Sequence, residues 1–371
     1  VPGNVHDGFT KLASLVKDFR TSYPVGWLEG SNSWVMSAER AQQPHPVLVN
    51  DPHIGFGMPS VWFEAAIITP TFRKHGFFLS GVPFAVLGHD ENLAWGLTML
   101  QNDDMDFFVE TCADPECQTY RTPAGTQQFS SRVETIKVKD GKTVELKVRL
   151  SRHGPIMNGV LDELAETRPV AMRWSFTDGI NEGFETFLKV NRATNFQEFE
   201  DAVSSHHSPG LNFSAVDSQG TVGMIAGGAL VKRAPGVDGH QLQDGASGRG
   251  DWIGYRPFSD NPRIVNPAEG YAYSANHGWR FAKEVDADQA WLQGYFSPDD
   301  RWMRLAERLQ ADGAWDRERH TDVQLDVTKP LDRKLLAAFL EIPGAQEVLS
   351  AKLSDGAGLW EELERWDGSY E

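Results

Sequence analysis

The residues able to do chemistry begin with Ser31. It follows Gly30 and opens the run Ser31-Asn32-Ser33-Trp34-Val35-Met36, whose apolar second half has strand character, so its hydroxyl stands at the head of a buried strand. A serine nucleophile needs a base for its proton. One such base is the residue's own α-amino group, which exists only once the Gly30–Ser31 peptide bond has been cut. With an unperturbed pKa of about 7.7–8, that amine is a competent base near neutral pH. The same heptapeptide also suits an ordinary strand-entry serine, so other stretches must decide.

Four of them carry residues of the right type. They are Asn50-Asp51-Pro52-His53-Ile54-Gly55, Ala94-Trp95-Gly96-Leu97-Thr98, Gln101-Asn102-Asp103-Asp104-Met105-Asp106, and Asn266-Pro267-Ala268-Glu269-Gly270 leading to Ser274-Ala275-Asn276. Each alone has an ordinary reading, as a turn, a strand, a solvated acidic surface or a loop amide. Composition narrows what they can serve. The 371 residues, 40% hydrophobic with 35 glycines, suffice for a large core. With 35 basic against 52 acidic residues the net charge is −17, which disfavours nucleic acid, whose binders concentrate basic surface. No run reaches the roughly 18 apolar residues of a membrane helix, so membrane insertion is not expected. Val1-Pro2-Gly3-Asn4 has neither an initiator Met nor a signal-peptide pattern, and the chain is expected to be a processed piece. Cys112 and Cys117, the two cysteines, have no second pair and no His nearby, which disfavours a zinc site and leaves a small disulfide loop or two free thiols. The disulfide is favoured, and with it an exported protein.

The elements that must position these residues are mostly strands. Trp34–Met36, Val47–Val49, Val61–Ile68, Phe77–Leu79, Ala94–Met99 and Met105–Val109 are short apolar runs parted by Gly, Pro, Asn and Asp. Val133–Val138 and Val144–Leu150 flank Asp140-Gly141, whose tolerance of positive φ predicts a hairpin. A second hairpin joins Asn212–Val216 to Thr221–Ile225. Helical spacing occurs over 9–19, over 194–205 behind a capping box at Thr194-Asn195-Phe196-Gln197, and over Arg301–Gln310, Lys334–Leu340, Leu349–Leu353 and Leu359–Leu363. Tyr23–Gly30 is a Pro/Gly linker able to present a scissile bond, and 235–251 reads as a long surface loop. Strands with inserted and trailing helices predict one large α+β domain with mainly antiparallel sheets. A Rossmann fold and an α/β-hydrolase are disfavoured, since no G-x-G-x-x-G follows a strand and no G-x-S-x-G elbow occurs.

Together, in this order and at these distances from Ser31, the motifs resemble the penicillin acylase family of N-terminal-nucleophile hydrolases. The resemblance runs nearly the length of the chain, through Ser31-Asn32-Ser33-Trp34, Asn50 to Gly55, Gly88-His89-Asp90-Glu91 with Ala94-Trp95-Gly96, Asp103 to Asp106, Arg152-His153-Gly154-Pro155, Asn212-Phe213 and Ala275-Asn276. It implies an αββα four-layer sandwich with two mainly antiparallel sheets and a helical C-terminal part. It also implies that residues 1–30 end an α subunit or spacer, that 31–371 begin a β subunit, that the precursor cuts itself at Gly30–Ser31, and that the location is periplasmic or secreted.

By the same resemblance Ser31 would attack the amide carbonyl of a small N-acyl compound while its α-amine moves the proton through a water. The Asn276 side chain and the Met99 backbone N–H would hold the oxyanion, His53 would position the Ser31 amine and hydroxyl, and Arg301 would reach the site. Ile54, Val61, Phe84 and Leu87 would line the acyl pocket. Being uncharged, they favour an apolar acyl group, as in N-acyl homoserine lactones or apolar β-lactams, over a glutaryl group. Asp103, Asp106, the Met105 and Val231 carbonyls and Asp288 would hold a structural Ca²⁺, with no organic cofactor. The family's own α subunit is the implied protein partner. The competing expectation is a non-catalytic or unprocessed fragment whose acylase-like fold serves binding or structure.

Overall fold

The computed structural model describes residues 30–55, 57–160, 164, 168–179, 182–280, 292–296, 300–352 and 356–369. The helix expected over 9–19, the linker before Gly30, and Asp288 lie outside them. In chain order the strands used below are β1 (Gly30–Met36), β2 (Val47–His53), β3 (Trp62–Ile68), β4 (Arg73–Leu79), β5 (Leu87–His89), β6 (Leu93–Met99), β7 (Met105–Val109), β8 (Ser130–Ile136), β9 (Val144–Ser151), β10 (Leu211–Asp217), β11 (Val222–Gly227), β12 (Arg263–Val265) and β13 (Tyr271–Ser274). The helices used below are α1 (Gly183–Val190), α2 (Phe196–Val203), α3 (Asp300–Gln310), α4 (Arg317–Gln324), α5 (Pro330–Leu340), α6 (Ala345–Lys352) and α7 (Gly356–Arg365).

Two antiparallel sheets form the body, one in the order β12-β11-β10-β6-β5-β4-β3 and the other β2-β1-β13. Side-chain alternation explains how they stack. In β1, Ser33 and Val35 face the larger sheet, where they meet Ser214, Val216 and Met224. Trp34 and Met36 face the other way and pack on Leu305, Leu309, Trp315 and Val323 from α3, α4 and the turn between them. In β10 the same rule sends Phe213 and Ala215 to the far face, against Val190 of α1 and Phe196, Phe199 and Val203 of α2. The layers are therefore helix, sheet, sheet, helix.

Local departures from expectation have local causes. The hairpin of β8 and β9 is present, but its loop runs over 137–143, so Val138 leaves the strand, and Asp140 at φ +57° takes the left-handed turn position instead of Gly141. A short Asp side chain tolerates that region by bonding locally. The cap of α2 lies one residue further on than the motif suggests: Asn195 accepts from the Glu198 N–H, and Glu198 reaches back to the Thr194 N–H and hydroxyl. Helices α1 and α4, eight residues each, are shorter than the window in which spacing separates helix from loop. Cys112 and Cys117 are joined as a disulfide.

Candidate active site

β1 begins at Gly30, paired in register with His53, and the chain is continuous through Gly30–Ser31. The Ser31 nitrogen is thus an amide N–H, donated to Asn276 Oδ1 at 2.6 Å, and the Ser31 hydroxyl donates to Gly30 O at 2.6 Å. Arg301, in the first turn of α3, donates to Asn276 Oδ1 at 2.9 Å, to Ser31 O at 3.0 Å and to Asn32 Oδ1 at 2.9 Å. Ser31 is 1% exposed and Asn276 fully buried. Asn276 sits at φ +62°, a conformation Asn adopts more readily than most residues, just past the end of β13. A Cβ on Gly30 would lie 2.8 Å from the Arg301 guanidinium, so glycine is what lets that guanidinium approach the Gly30–Ser31 junction.

Met99 ends β6 and its N–H direction follows from its neighbours. Leu100 N–H bonds Gly210 O on the β10 side, whereas Leu97 N–H is taken by Asn50 Oδ1 from the opposite side. Alternation puts the Met99 N–H on the Leu97 side, away from β10. Asn276 Nδ2 donates to Met99 O at 2.8 Å, so the two residues expected to stabilise an oxyanion are together. Asn50 is a part of the site that its motif did not reveal. Its amide bonds Leu97 N–H and Leu97 O, each at 2.9 Å, and also Asn32 O at 3.0 Å, tying β6 to β1 as a missing strand would. Gly96 leaves room for it, since a Cβ there would lie 2.7 Å from Asn50 Oδ1.

His53 stands opposite Gly30 in the β1–β2 register. Its Nε2 lies 3.1 Å from Asp51 Oδ2, and Ser31 bonds to Gly30 and Asn276 instead. Residues two apart on a strand share a face, which brings Asp51 and His53 together.

An apolar cavity of about 510 Å³ reaches Ser31. Phe84 and Leu87 line it as expected, with Trp62, Leu97, Phe184 and Phe187. Ile54 and Val61 do not. β2 ends at His53, so Pro52 is the last residue of its face to reach the cavity, and Trp62 turns inward where its neighbour Val61 turns away. Among the described lining residues the titratable side chain is that of His206. Its Nε2 donates to Pro209 O at 2.7 Å, and burial pushes its pKa down to about 4, so the ring is neutral at pH 7. Among the described lining residues none carries a full charge.

The expected calcium ligands do not form a calcium site among the described residues. Asp103 and Asp106 come together on either side of Met105, but the group between their carboxylates is Arg233, two residues beyond Val231. Burial pushes the Asp103 carboxyl up to about 6, against the pull of that guanidinium. Among the described residues no group of three or more His, Cys, Asp or Glu is placed to hold a metal ion. The donors present fit a guanidinium, and a calcium ion would have to displace it.

The four layers are the architecture of N-terminal-nucleophile hydrolases. A solved structure that shares it is the thermostable penicillin G acylase from Alcaligenes faecalis, with a TM-score of 0.73 and 23% identity over 91% of this chain and 59% of that one. A sequence profile for penicillin amidase matches residues 5–371, and the chain belongs to that family. Among its relatives, the acyl-homoserine lactone acylase QuiP of Pseudomonas aeruginosa is 27% identical over 318 residues, which are 83% of this chain and 37% of that protein. Penicillin G acylase of Escherichia coli is 27% identical over 351 residues, 92% of this chain and 39% of that protein. The chain thus spans well under half the length of these relatives.

Proposed function

We propose that the chain carries the nucleophile-bearing part of an acylase that hydrolyses the amide of a small N-acyl compound, with Ser31 as N-terminal nucleophile after cleavage at Gly30–Ser31. The observation that carries this reading is the surroundings of Ser31: with Met99 it lines an apolar cavity, and it is held by Asn276 and Arg301, Asn276 also bonding Met99 O. In the continuous chain its nitrogen is a hydrogen-bond donor and no base. Attack of Ser31 Oγ on the Gly30 carbonyl carbon, followed by hydrolysis of the resulting ester, would leave an α-amine in its place.

That amine then takes the Oγ proton through a water as Oγ adds to the substrate carbonyl, and returns it to the leaving amine; water then hydrolyses the acyl ester left on Oγ, releasing the acid and restoring the hydroxyl. The oxyanion is met by the Met99 N–H and by the Asn276 Nδ2 hydrogen not given to Met99 O. Arg301, donating to Asn276 Oδ1, fixes which end of the amide remains a donor. Residues 31–371 form the start of the β subunit, and the segment ending at Gly30 belongs to a spacer or to the α subunit that is its partner. The Cys112–Cys117 disulfide supports a periplasmic or secreted location, where such bonds persist.

A cavity of this size and polarity accepts an apolar acyl group and would leave a glutaryl carboxylate unpaired. The substrate class is therefore an N-acyl homoserine lactone or a β-lactam with an apolar side chain; relatives named for each kind of acylase support it. Chromogenic anilides assayed on the processed full-length protein test this. Phenylacetyl- and octanoyl-anilide are expected to show higher kcat/KM than glutaryl-anilide, and the reverse order would overturn the pocket reading.

A further inference from the structure

Residues 100–104 leave β6 directly after Met99 and enter β7 through a buried ionic knot. The Arg233 side chain is 5% exposed and those of Asp103 and Asp106 are fully buried. Arg233 Nε and Nη2 donate to the two oxygens of Asp106 at 2.9 and 2.8 Å. The same Nη2 lies 3.2 Å from Asp103 Oδ1 and 3.2 Å from the Asp103 backbone oxygen. Trp252 donates its indole N–H to Asp106 Oδ2, and its ring lies 5.9 Å from the guanidinium carbon. Gly239 closes over the pair: a Cβ there would lie 2.0 Å from Asp103 Oδ2 and 2.6 Å from Arg233 Cζ.

We propose that Arg233 is a built-in cation occupying the place of a divalent ion between Asp103 and Asp106, so that the segment behind Met99 is held without metal. Calcium bridging those carboxylates would sit about 2.3–2.6 Å from an oxygen of each. That volume is held by Nη2, which already touches Asp106 Oδ1 and both the side-chain and backbone oxygens of Asp103. Two cations cannot share it. A guanidinium keeps its proton at any physiological pH and, being covalently attached, cannot be chelated away. It also matches one carboxylate with a two-pronged fork, which explains the bidentate hold on Asp106. Asp103 has less, since among the described residues neither of its carboxylate oxygens makes a hydrogen bond, and the ion pair with Arg233 is its closest charge contact. Removing Arg233 would therefore leave two buried carboxylates facing a vacated space of ionic size, which calcium could fill.

The test is thermal unfolding of the full-length protein in excess chelator and in about millimolar calcium, together with its bound calcium content after gel filtration. The wild type is expected to melt at the same temperature in both and to retain far less than one calcium per chain. Arg233→Ala is expected to melt about 5–10 °C lower in chelator, as for a buried pair broken from one side, and to recover most of that loss in calcium. Should Arg233→Ala not fold, Arg233→Lys keeps the charge and is expected to fold and to ignore calcium. A wild type destabilised by chelator or carrying stoichiometric calcium would overturn the proposal. So would an Arg233→Ala protein as stable as the wild type, one destabilised but unmoved by calcium, or an Arg233→Lys protein stabilised by calcium.

Discussion

The two ends of the seam between the sheets differ in kind. Near Ser31 the facing residues are Ser33, Thr98, Asn212, Ser214 and Ser274, all buried. They bond one another: Asn212 Nδ2 donates to Thr98 Oγ1 at 2.9 Å and to Ser274 Oγ at 3.1 Å, and Ser33 donates to Ser214 at 2.9 Å. Further along, the same strands contribute Val35, Ala94, Val216 and Ala272, joined by Met224 of β11. The backbone alternation is the same at both ends, so only side-chain chemistry changes. The apolar end supplies stability through burial. The polar end gains only about 1 kcal/mol per hydrogen bond, but each bond has a direction, and the directions set where Ser31 stands relative to Met99.

Substitutions at the two ends should separate along that line. Asn276→Ala is expected to lower kcat of the processed enzyme by about 10²–10³-fold, as for a lost oxyanion donor; a fall of less than tenfold would move that role elsewhere. Met224→Ala, at the apolar end, is expected to cost about 2–5 kcal/mol in denaturant unfolding while kcat/KM of the folded protein stays within about twofold. A large kcat loss there would erase the distinction between the ends.

On the cavity side, His206 is neutral when folded because burial holds its pKa near 4, whereas in the unfolded chain it titrates near its ordinary 6.5. Above 6.5 it costs nothing; as pH falls from 6.5 to 4 the unfolded state binds the extra proton and stability drops by up to about 3 kcal/mol. Unfolding of His206→Phe between those pH values is expected to show a flatter slope, and an unchanged slope would mean that other groups carry it. Asn50→Ala is expected to cost about 1–3 kcal/mol by stranding the Leu97 N–H and C=O. Unlike Met224→Ala it should also lower kcat, because β6 and Met99 lose their tie to β1. An Asn50→Ala enzyme with unaltered kcat would show that the strand positions itself.

The fold was legible because its signals are local. Short apolar runs between turn residues mark strands such as Leu93–Met99, and the spacing of Leu305 and Leu309 marks the helix that covers Trp34. Ser31, Asn276, Met99 and Arg301 were legible through motifs in a fixed order, and the structure brings them together. What was not legible depends on partners distant in sequence. Asn50 looks like a turn residue until the open edge of β6 is seen beside it. Arg233 lies in Val-Lys-Arg-Ala-Pro, an ordinary loop entry, and becomes a buried cation only because the chain returns 127 residues later to Asp106. His53 turned to Asp51, and Trp62 replaced Val61 in the cavity, because side-chain direction is set by where a strand starts and ends.

Intact-mass spectrometry of the full-length protein and its Ser31→Ala variant, paired with an octanoyl-anilide assay, tests the role of Ser31 most directly. The wild type is expected to yield a species beginning at Ser31 and to hydrolyse the anilide, while Ser31→Ala stays one continuous chain and is inactive. A continuous Ser31→Ala protein that still hydrolyses the anilide, or an active wild type with no species beginning at Ser31, would contradict it.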